Sequence, residues 1–383
     1  MEQIKAYKFR MYPTNEQRIL INKTFGCARY LYNYFLNKKQ ELYKTNKKSL
    51  SAFDCIKEIP ELSKEREWLK EIDSCALRCS IFDLDDAFKN FFAKRGSYPH
   101  FKAKHGKNSY RTNNITNEYK GRIYNSIKLD LKNRLLTLPK LKAVKIRGYR
   151  NLEFLNGRII NVTITKENNR YYTSIVVEEP NMINETNATS IVGIDLGIKS
   201  LITTSDNEVY QNQKVTKKYE KRLAHIQREL ARKIKGSKNY YKCKARLNTI
   251  YRKIKNTRKH YLHDITKKLT DTYRIIVTEK LSIKEMVKDS KLAKNILDVT
   301  WYELIRQLEY KSEKKNVKFY QINPYYPSTQ KCSSCGEKNE RMKSLTIREY
   351  QCNHCHNKLD RDYNAALNIM SEGLDRYIEE LAI

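Results

Sequence analysis

The sequence predicts a multidomain α/β protein. A β-patterned N-terminal half is interrupted by a helical insert, and an α/β half carrying a small metal knuckle follows. Three observations predict this. The 383 residues exceed one ordinary domain and suit two or three. Strand-like runs fall in two blocks on either side of a polar stretch without period, residues 181–190. Two Cys-x-x-Cys pairs, Cys332/Cys335 and Cys352/Cys355, stand sixteen residues apart near the C-terminus, and two such turns offer four thiolates to a tetrahedral ion.

Residues 3–11 alternate apolar and basic side chains, as a half-solvated strand does. Pro13 ends that strand. Thr14 and Gln17 form a capping box that starts a long helix to about Lys44, with Ile19, Phe25, Ala28, Leu31 and Phe35 on its apolar side. More helix is expected from about Ser51 to Lys94. Its Phe- and Leu-rich part, Ala76–Phe92, reads as core. The stretch 96–107 changes to a basic, aromatic loop. Strands are expected at Ser126–Leu131, Arg134–Leu138, Ala143–Ile146, Arg158–Thr165 and Tyr171–Glu178, the last two joined by a hairpin turn at Asn168-Asn169. These elements divide the N-terminal half into a β domain (1–13 and 96–180) and a helical lobe (14–95). A linker (181–190) leads to the α/β domain (191–383), with the knuckle at about 328–358.

In that domain Ile191–Asp195, Ser200–Ser205 and Glu208–Tyr210 read as adjacent strands. Two basic helices follow, at about Lys217–Lys235 and Lys242–Leu269, broken at Gly236-Ser237. Strands at Arg274–Thr278 and Val317–Ile322 flank a helix over Leu292–Lys315, and a last helix starts near Tyr363.

The charge balance narrows the partner. Lys and Arg number 76 against 43 Asp and Glu, a net +33. Solubility needs only a net charge of about 2–8 in a small domain, so the surplus points to a polyanion. Between Lys214 and Leu269, 20 basic residues face 3 acidic ones, so half of the excess lies in the two basic helices. Lys221, Arg222, Arg228, Arg232 and Lys233 are therefore candidate phosphate contacts. Phe101, Lys102 and Lys104 of the basic loop are candidates too, because rings stack on bases while cations meet phosphates. No apolar stretch approaches about 20 residues and the N-terminus lacks an apolar signal core, which argues against membrane and secreted classes. Cys27, Cys55, Cys75, Cys79 and Cys243 are scattered, as reduced thiols of a cytoplasmic protein are.

Three acids mark the chemistry. Asp195 and Glu279 end apolar strands, and Asp362 opens the final helix. A dry strand that delivers a carboxylate at its C-terminal tip is a common way to build an α/β site. Gathered together, the three would repel one another and would need divalent cations. Two Mg²⁺ ions about 3.5–4 Å apart suit such hard oxygen ligands and phosphodiester chemistry. Gly193 and Gly197 are expected to let substrate backbone come close. Spacing alone does not bring the acids together. Four thiolates close a coordination shell, so the zinc at Cys332, Cys335, Cys352 and Cys355 is expected to be structural. His354 and His356 could compete as ligands, but each Cys-x-x-Cys pair is already complete.

At these motifs the chain resembles the TnpB family, nucleases encoded by bacterial insertion sequences and related to type V CRISPR effectors. Gly193-Ile-Asp-Leu-Gly-Ile-Lys-Ser is similar to the family's first RuvC motif, Glu279-Lys-Leu-Ser to the second and Asp360-Arg-Asp-Tyr-Asn-Ala-Ala to the third. Gln307-Leu-Glu-Tyr-Lys and Pro327-Ser-Thr-Gln-Lys-Cys resemble the approach to its zinc ribbon. The likeness covers residues 190–370 at motif level and the N-terminal half more loosely. It implies an RNase H-like RuvC domain with a zinc ribbon, preceded by a wedge-type β-barrel domain with a helical recognition insert. It implies Asp195, Glu279 and Asp362 as the catalytic, magnesium-binding acids, since the family's third acid stands two residues before the Asn. It implies an RNA-guided DNA endonuclease that works as a monomeric ribonucleoprotein in a bacterial cytoplasm, on the nucleoid. A guide RNA would pair with one strand of target double-stranded DNA beside a short adjacent motif. Two other readings fit the same residues: a guided DNA-binding repressor that has lost cleavage, and a transposase or accessory protein of an insertion sequence.

Overall fold

The computed structural model describes the chain except residues 1, 105, 120–121, 149–156, 181–188, 287, 289–292, 294–295, 297, 345 and 383. The chain forms two compact units, Met1–Asn181 and Met182–Ile383. The linker expected at 181–190 lies outside the described residues apart from Thr189 and Ser190.

The first unit opens with β1 (Glu2–Tyr12) and α1 (Asn15–Asn46). The capping box forms: Thr14 Oγ1 accepts from the Gln17 N–H at 3.3 Å, and Gln17 Oε1 accepts from the Thr14 N–H at 3.0 Å. Helix α1 buries Ile21, Phe25, Ala28, Leu31 and Phe35. Ile19, expected on that side, lies about 200° around the helix from Ile21 and is 60% exposed. Helices α2 (Ala52–Lys57), α3 (Ile59–Glu65) and α4 (Ser74–Phe92) complete the helical part. Leu77, Ile81 and Leu84 of α4 share a buried cluster with Leu31, Phe35 and Leu36 of α1. The expected core does not run the whole length of α4, because Phe92 is 75% exposed.

Among the described residues eight more strands follow: β2 (Asn108–Asn113), β3 (Thr116–Tyr119), β4 (Arg122–Asn125), β5 (Lys128–Asp130), β6 (Leu135–Leu138), β7 (Lys142–Arg147), β8 (Arg158–Glu167) and β9 (Arg170–Pro180). Seven strands form one antiparallel sheet in the order β2-β8-β9-β1-β7-β6-β5, and β3 and β4 form a separate ribbon. Strand β1 therefore lies between strands from beyond the helical insert. Its Phe9 and Met11 join a core with Leu136, Ile146, Val162, Ile164 and Ile175. The β8–β9 hairpin turns at Asn168, whose φ is +58°. Strand β2 follows directly on the stretch read as loop; it is a polar edge strand, so apolar alternation does not reveal it.

The second unit is built on a five-stranded sheet of β10 (Ile191–Leu196), β11 (Ser200–Thr204), β12 (Val209–Gln211), β13 (Ile275–Glu279) and β14 (Lys318–Ile322). The order is β12-β11-β10-β13-β14. The first three strands are antiparallel, while β13 and β14 run parallel to β10, which is the RNase H-like arrangement. Helices α5 (Val215–Ala231) and α6 (Lys238–Thr272) lie between β12 and β13 in the chain. The short α7 (Ile283–Met286) and α8 (Trp301–Lys314) precede β14, and α9 (Arg361–Leu381) ends the unit. The helix expected from Leu292 has its first residues largely outside the described set; Thr300, at φ +57°, precedes Trp301.

Helices α6 and α8 share an apolar core with Leu262, Ile265, Leu269, Leu304 and Leu308. A polar seam runs beside it. Lys311 Nζ donates to the His263 carbonyl at 2.8 Å and to Thr266 Oγ1 at 2.6 Å. Burial, with Lys315 nearby, holds its ammonium down at about 8 against an ordinary 10.5. Between those values the unfolded chain binds the proton and the folded chain does not, so stability rises with pH across that window. The penalty is complete below about pH 8. Lys311→Met keeps the packed stem without the charge. The variant's stability relative to wild type is therefore expected to fall as pH rises from 7 to 10. Urea midpoints at the two pH values measure it, and a constant difference counts against a desolvated ammonium.

Candidate metal centre and catalytic carboxylates

Strands β10 and β13 run side by side in register, with Ile194 opposite Thr278. One step further places Asp195 beside Glu279, on neighbouring strands about 4.8 Å apart. Each acid lies at the C-terminal end of its strand. Asp195 is only 7% exposed. Burial first, then the charges of Glu279 and Asp362, hold its carboxyl well above the usual carboxylate range. Burial lifts Glu279 to about 7. Burial, with Asp360 next to it, also raises Asp362. Glu279 and Asp362 thus both bear electrostatically on Asp195.

Helix α9 delivers the third acid. Its backbone crosses β10 so closely that a Cβ on Gly193 would meet the Ala366 carbonyl oxygen at 2.1 Å and the Met370 nitrogen at 2.5 Å. A Cβ on Gly373 would meet Val277 Cγ2 at 2.3 Å. The expectation that Gly193 and Gly197 leave room for substrate does not hold. Helix α9 fills the space over Gly193, and a Cβ on Gly197 would meet the Ser200 carbonyl oxygen at 2.7 Å. Asp362 lies one turn before Ala366, at the end of α9 that meets the strand tips. Asp360 instead caps α9, its Oδ1 accepting from the Asp362 N–H at 2.9 Å and the Tyr363 N–H at 3.2 Å. Sequence patterning does not single out Arg348, whose Nη1 lies 3.7 Å from Asp362 Oδ1 and supplies a cation at the rim.

The four cysteine sulfurs converge within 4.8 Å of one another. Cys332 Sγ and Cys355 Sγ are 3.6 Å apart, and Cys335 Sγ and Cys352 Sγ are 3.5 Å apart. Sulfurs 2.3 Å from a tetrahedral zinc would be separated by about 3.8 Å, so the donor set and its geometry fit that ion. The N–H groups of Cys355 and His354 both point at Cys352 Sγ, and with the Cys355 bond first they draw that thiol down to about 6 despite burial. Neither His354 nor His356 joins the cluster among the described residues. Strands β15 (Glu349–Gln351) and β16 (Lys358–Asp360) frame the second pair, and β16 runs directly into α9.

Three buried polar residues of α9 bind it to the knuckle, and none of them stands out as functional in the sequence. Asn364 Nδ2 donates to the Lys331 carbonyl at 2.8 Å, and its Oδ1 accepts from the Ser333 N–H at 3.0 Å. Asn368 Nδ2 donates to the Ser328 and Lys331 carbonyls at 2.8 and 2.6 Å. Arg361, 6% exposed, donates to the Ser344 carbonyl at 2.7 Å. A signal exists: 361, 364 and 368 follow helical spacing among Ala365, Ala366 and Ile369.

Helices α5 and α6 pack on each other through Leu223, Ile226, Cys243, Leu247 and Ile250. That seam leaves Lys221, Arg222, Arg228, Arg232 and Lys233 at the surface. Not every base of the segment is available: Arg258 is partly buried in an ion pair with Asp298, and Lys268 pairs with Glu208. In the first unit Phe101 is 54% exposed and Lys104 is also exposed. Lys102 Nζ lies 3.7 Å from the Tyr32 ring centroid. Neutralising the five hairpin cations is expected to flatten the salt dependence of nucleic-acid affinity by about 0.7–0.9 in log–log slope for each phosphate left without its cation. Binding isotherms across salt measure this, and an unchanged slope would show that the five cations face only solvent.

Comparison with known proteins places this architecture. A family model described as a probable transposase matches residues 174–290, and one described as a Cas12f1-like TNB domain matches residues 301–369. A third, described as a helix-turn-helix domain, matches residues 1–48, which fold here as one strand and one 32-residue helix. The chain is 32% identical over 379 residues to a "Putative RNA-guided DNA endonuclease" of Streptomyces pristinaespiralis, covering 98% of this chain and 90% of that one. It is 31% identical over 390 residues to "Putative RNA-guided DNA endonuclease InsQ" of Escherichia coli (strain K12), covering 97% and 93%. "TnpB-like protein L79" of Acanthamoeba polyphaga mimivirus is 27% identical over 203 residues, 49% of this chain and 38% of that one. Among solved structures, a Cas12f1–sgRNA–target DNA complex aligns with a TM-score of 0.57 at 13% identity, over 96% of this chain and 99% of that one, a likeness of fold. With two relatives above 30% identity over nearly their whole length, and the acids and cysteines of its motifs in place, the chain belongs to the TnpB family.

Proposed function

We propose that the chain is an RNA-guided DNA endonuclease in which Asp195, Glu279 and Asp362 hold two Mg²⁺ ions and a structural zinc at the four cysteines fixes the third acid. The observation that carries this reading is the pairing of Asp195 and Glu279 on adjacent strand tips, with the charge of Asp362 bearing on Asp195. Three carboxylates so placed are costly unless cations share their charge. When bound, the divalent ions would activate water and stabilise the leaving oxygen of a phosphodiester. Asp195 and Glu279 would hold ligand oxygens at fixed strand positions, α9 would aim Asp362, and Arg348 would draw phosphate to the rim.

In this reading the seven-stranded sheet serves as a wedge-type β-barrel domain and helices α1–α4 as a recognition lobe. A guide RNA pairs with one strand of double-stranded DNA beside a short adjacent motif, and the basic surface tracks the heteroduplex backbone. The particle is a monomeric ribonucleoprotein in the cytoplasm, working on nucleoid DNA. Sequencing RNA that copurifies with the protein tests guidance: one abundant structured transcript is expected. DNA matching that transcript should be cut with Mg²⁺ and left intact in EDTA. Unstructured mixed RNA, or cutting that ignores the transcript's sequence, would overturn guidance.

A further inference from the structure

The end of α4 and the loop behind it carry an aromatic cluster that the core does not absorb. Phe88 and Phe92 stack at 6.4 Å between centroids, and Phe91 meets Phe92 at 5.4 Å. Tyr98, from the loop, meets Phe88 edge-on at 5.7 Å and Phe91 at 5.2 Å. Phe88 packs against the helical core, whereas Phe92 is 75% and Tyr98 38% exposed. Single exposed rings need no explanation, but a contiguous ring surface marks a binding site.

The platform is held in place. The Lys94 N–H donates to the Phe91 carbonyl at 2.9 Å and the Arg95 N–H to the Asn90 carbonyl at 2.8 Å, which closes the end of α4. The loop is pinned to α1 at Asn33, whose Nδ2 donates to the Lys102 carbonyl at 3.0 Å and whose Oδ1 accepts from the Lys102 N–H at 2.8 Å.

Charge selects the occupant. Residues 87–107 contain six Lys and Arg and no Asp or Glu. Lys89 is committed to Asp85 at 2.9 Å, but Lys94 and Arg95 are exposed and make no ion pair among the described residues. A second copy of this chain would bring more cations to a cationic rim. Single-stranded nucleic acid brings π faces for the rings and phosphates for the cations in one molecule.

We infer that Phe91, Phe92 and Tyr98 form a stacking platform for unpaired nucleobases, with Lys94 and Arg95 on the flanking phosphates. This rests on the nucleic-acid reading above and extends it to a site in the first unit. The test is anisotropy of fluorescent dT20 and rU20 with the zinc-loaded full chain, across salt. Phe92→Ala is expected to weaken binding about tenfold with the salt slope unchanged, and Phe92→Trp to restore it. Lys94→Ala with Arg95→Ala is expected to lower the slope. Whichever oligonucleotide shows the larger Phe92 effect identifies the strand type that stacks. Unchanged melting of Phe92→Ala separates stacking from misfolding. Binding by Phe92→Ala within twofold of wild type overturns the platform. So does a wild-type dimer, seen by sedimentation, that Phe92→Ala dissociates. Binding is measured in EDTA, where no metal-dependent cleavage takes place, so stacking can stand even where guided cleavage is not observed.

Discussion

Replacing Asp195 by Asn is expected to slow cleavage at least about 10³-fold while raising the melting temperature of the protein in chelator. The two effects share one cause. A carboxylate that holds such cations would supply several kcal/mol at the transition state, and a loss of about 4 kcal/mol is roughly a thousandfold in rate. Without cations the same carboxylate is a burden, because it is buried and faces Glu279 and Asp362. Asn keeps the shape and removes the charge. The burden has a pH signature. Glu279 is raised from 4.5 to about 7, so the folded chain keeps a proton there that the unfolded chain releases. In chelator, wild-type stability should therefore fall as pH climbs through that window, and Asp195→Asn, which removes a second raised carboxyl, should fall less. Asp362→Asn is expected to give a smaller stability gain, since Asp362 is nearer solvent and Arg348 already offsets it. Single-turnover cleavage and thermal melts in EDTA measure both signs. A variant that cuts at the wild-type rate removes Asp195 from the chemistry. One that neither cuts nor gains stability makes it an ordinary structural acid.

The parts of this site legible in the sequence are those written as short-range codes. The cysteines announce themselves by spacing, because two Cys-x-x-Cys turns have few other uses, and their sulfurs do converge. Asp195 and Glu279 can be read at strand tips because the dry runs before them, Ile-Val-Gly-Ile and Ile-Ile-Val-Thr, permit little else. Their adjacency cannot be read, since the β10–β13 pairing joins residues some eighty positions apart. Gly193 misleads for the same reason: a glycine against a substrate and a glycine against a distant helix look alike until that helix is placed. Phe92 shows the limit of helical periodicity, which identifies a face but not where the covering helix stops. Helical spacing marks Arg361, Asn364 and Asn368 as facing inward, but their partners are backbone groups of the knuckle, which that spacing does not record.

Those three residues make zinc removal a test of the helix that carries Asp362. Cys352→Ser is expected to abolish zinc binding, lower the melting temperature of the second unit and reduce cleavage by more than tenfold. The knuckle's own apolar core is Cys332, Met342, Tyr350 and Cys352 with Ile347 beside it, too small to fold unaided, so metal and fold are linked. If it opens, Asn364, Asn368 and Arg361 lose carbonyl and N–H partners while still facing the interior. Each stranded group costs about 1–3 kcal/mol, and the first two turns of α9 are where those costs fall. Asp362 lies in the first of them. Asn368→Ala tests the tie with the metal left in place. It takes a donor from the Ser328 carbonyl and is expected to retain full zinc while melting roughly 5 °C lower, given about 2–4 °C per kcal/mol for a unit of this size. Zinc content by atomic absorption, thermal melts and cleavage on one set of proteins separate the steps. If Cys352→Ser loses its zinc yet melts and cuts as the wild type does, the knuckle does not hold Asp362. If Asn368→Ala loses zinc as well, the tie runs in both directions, and the helix is part of what keeps the metal.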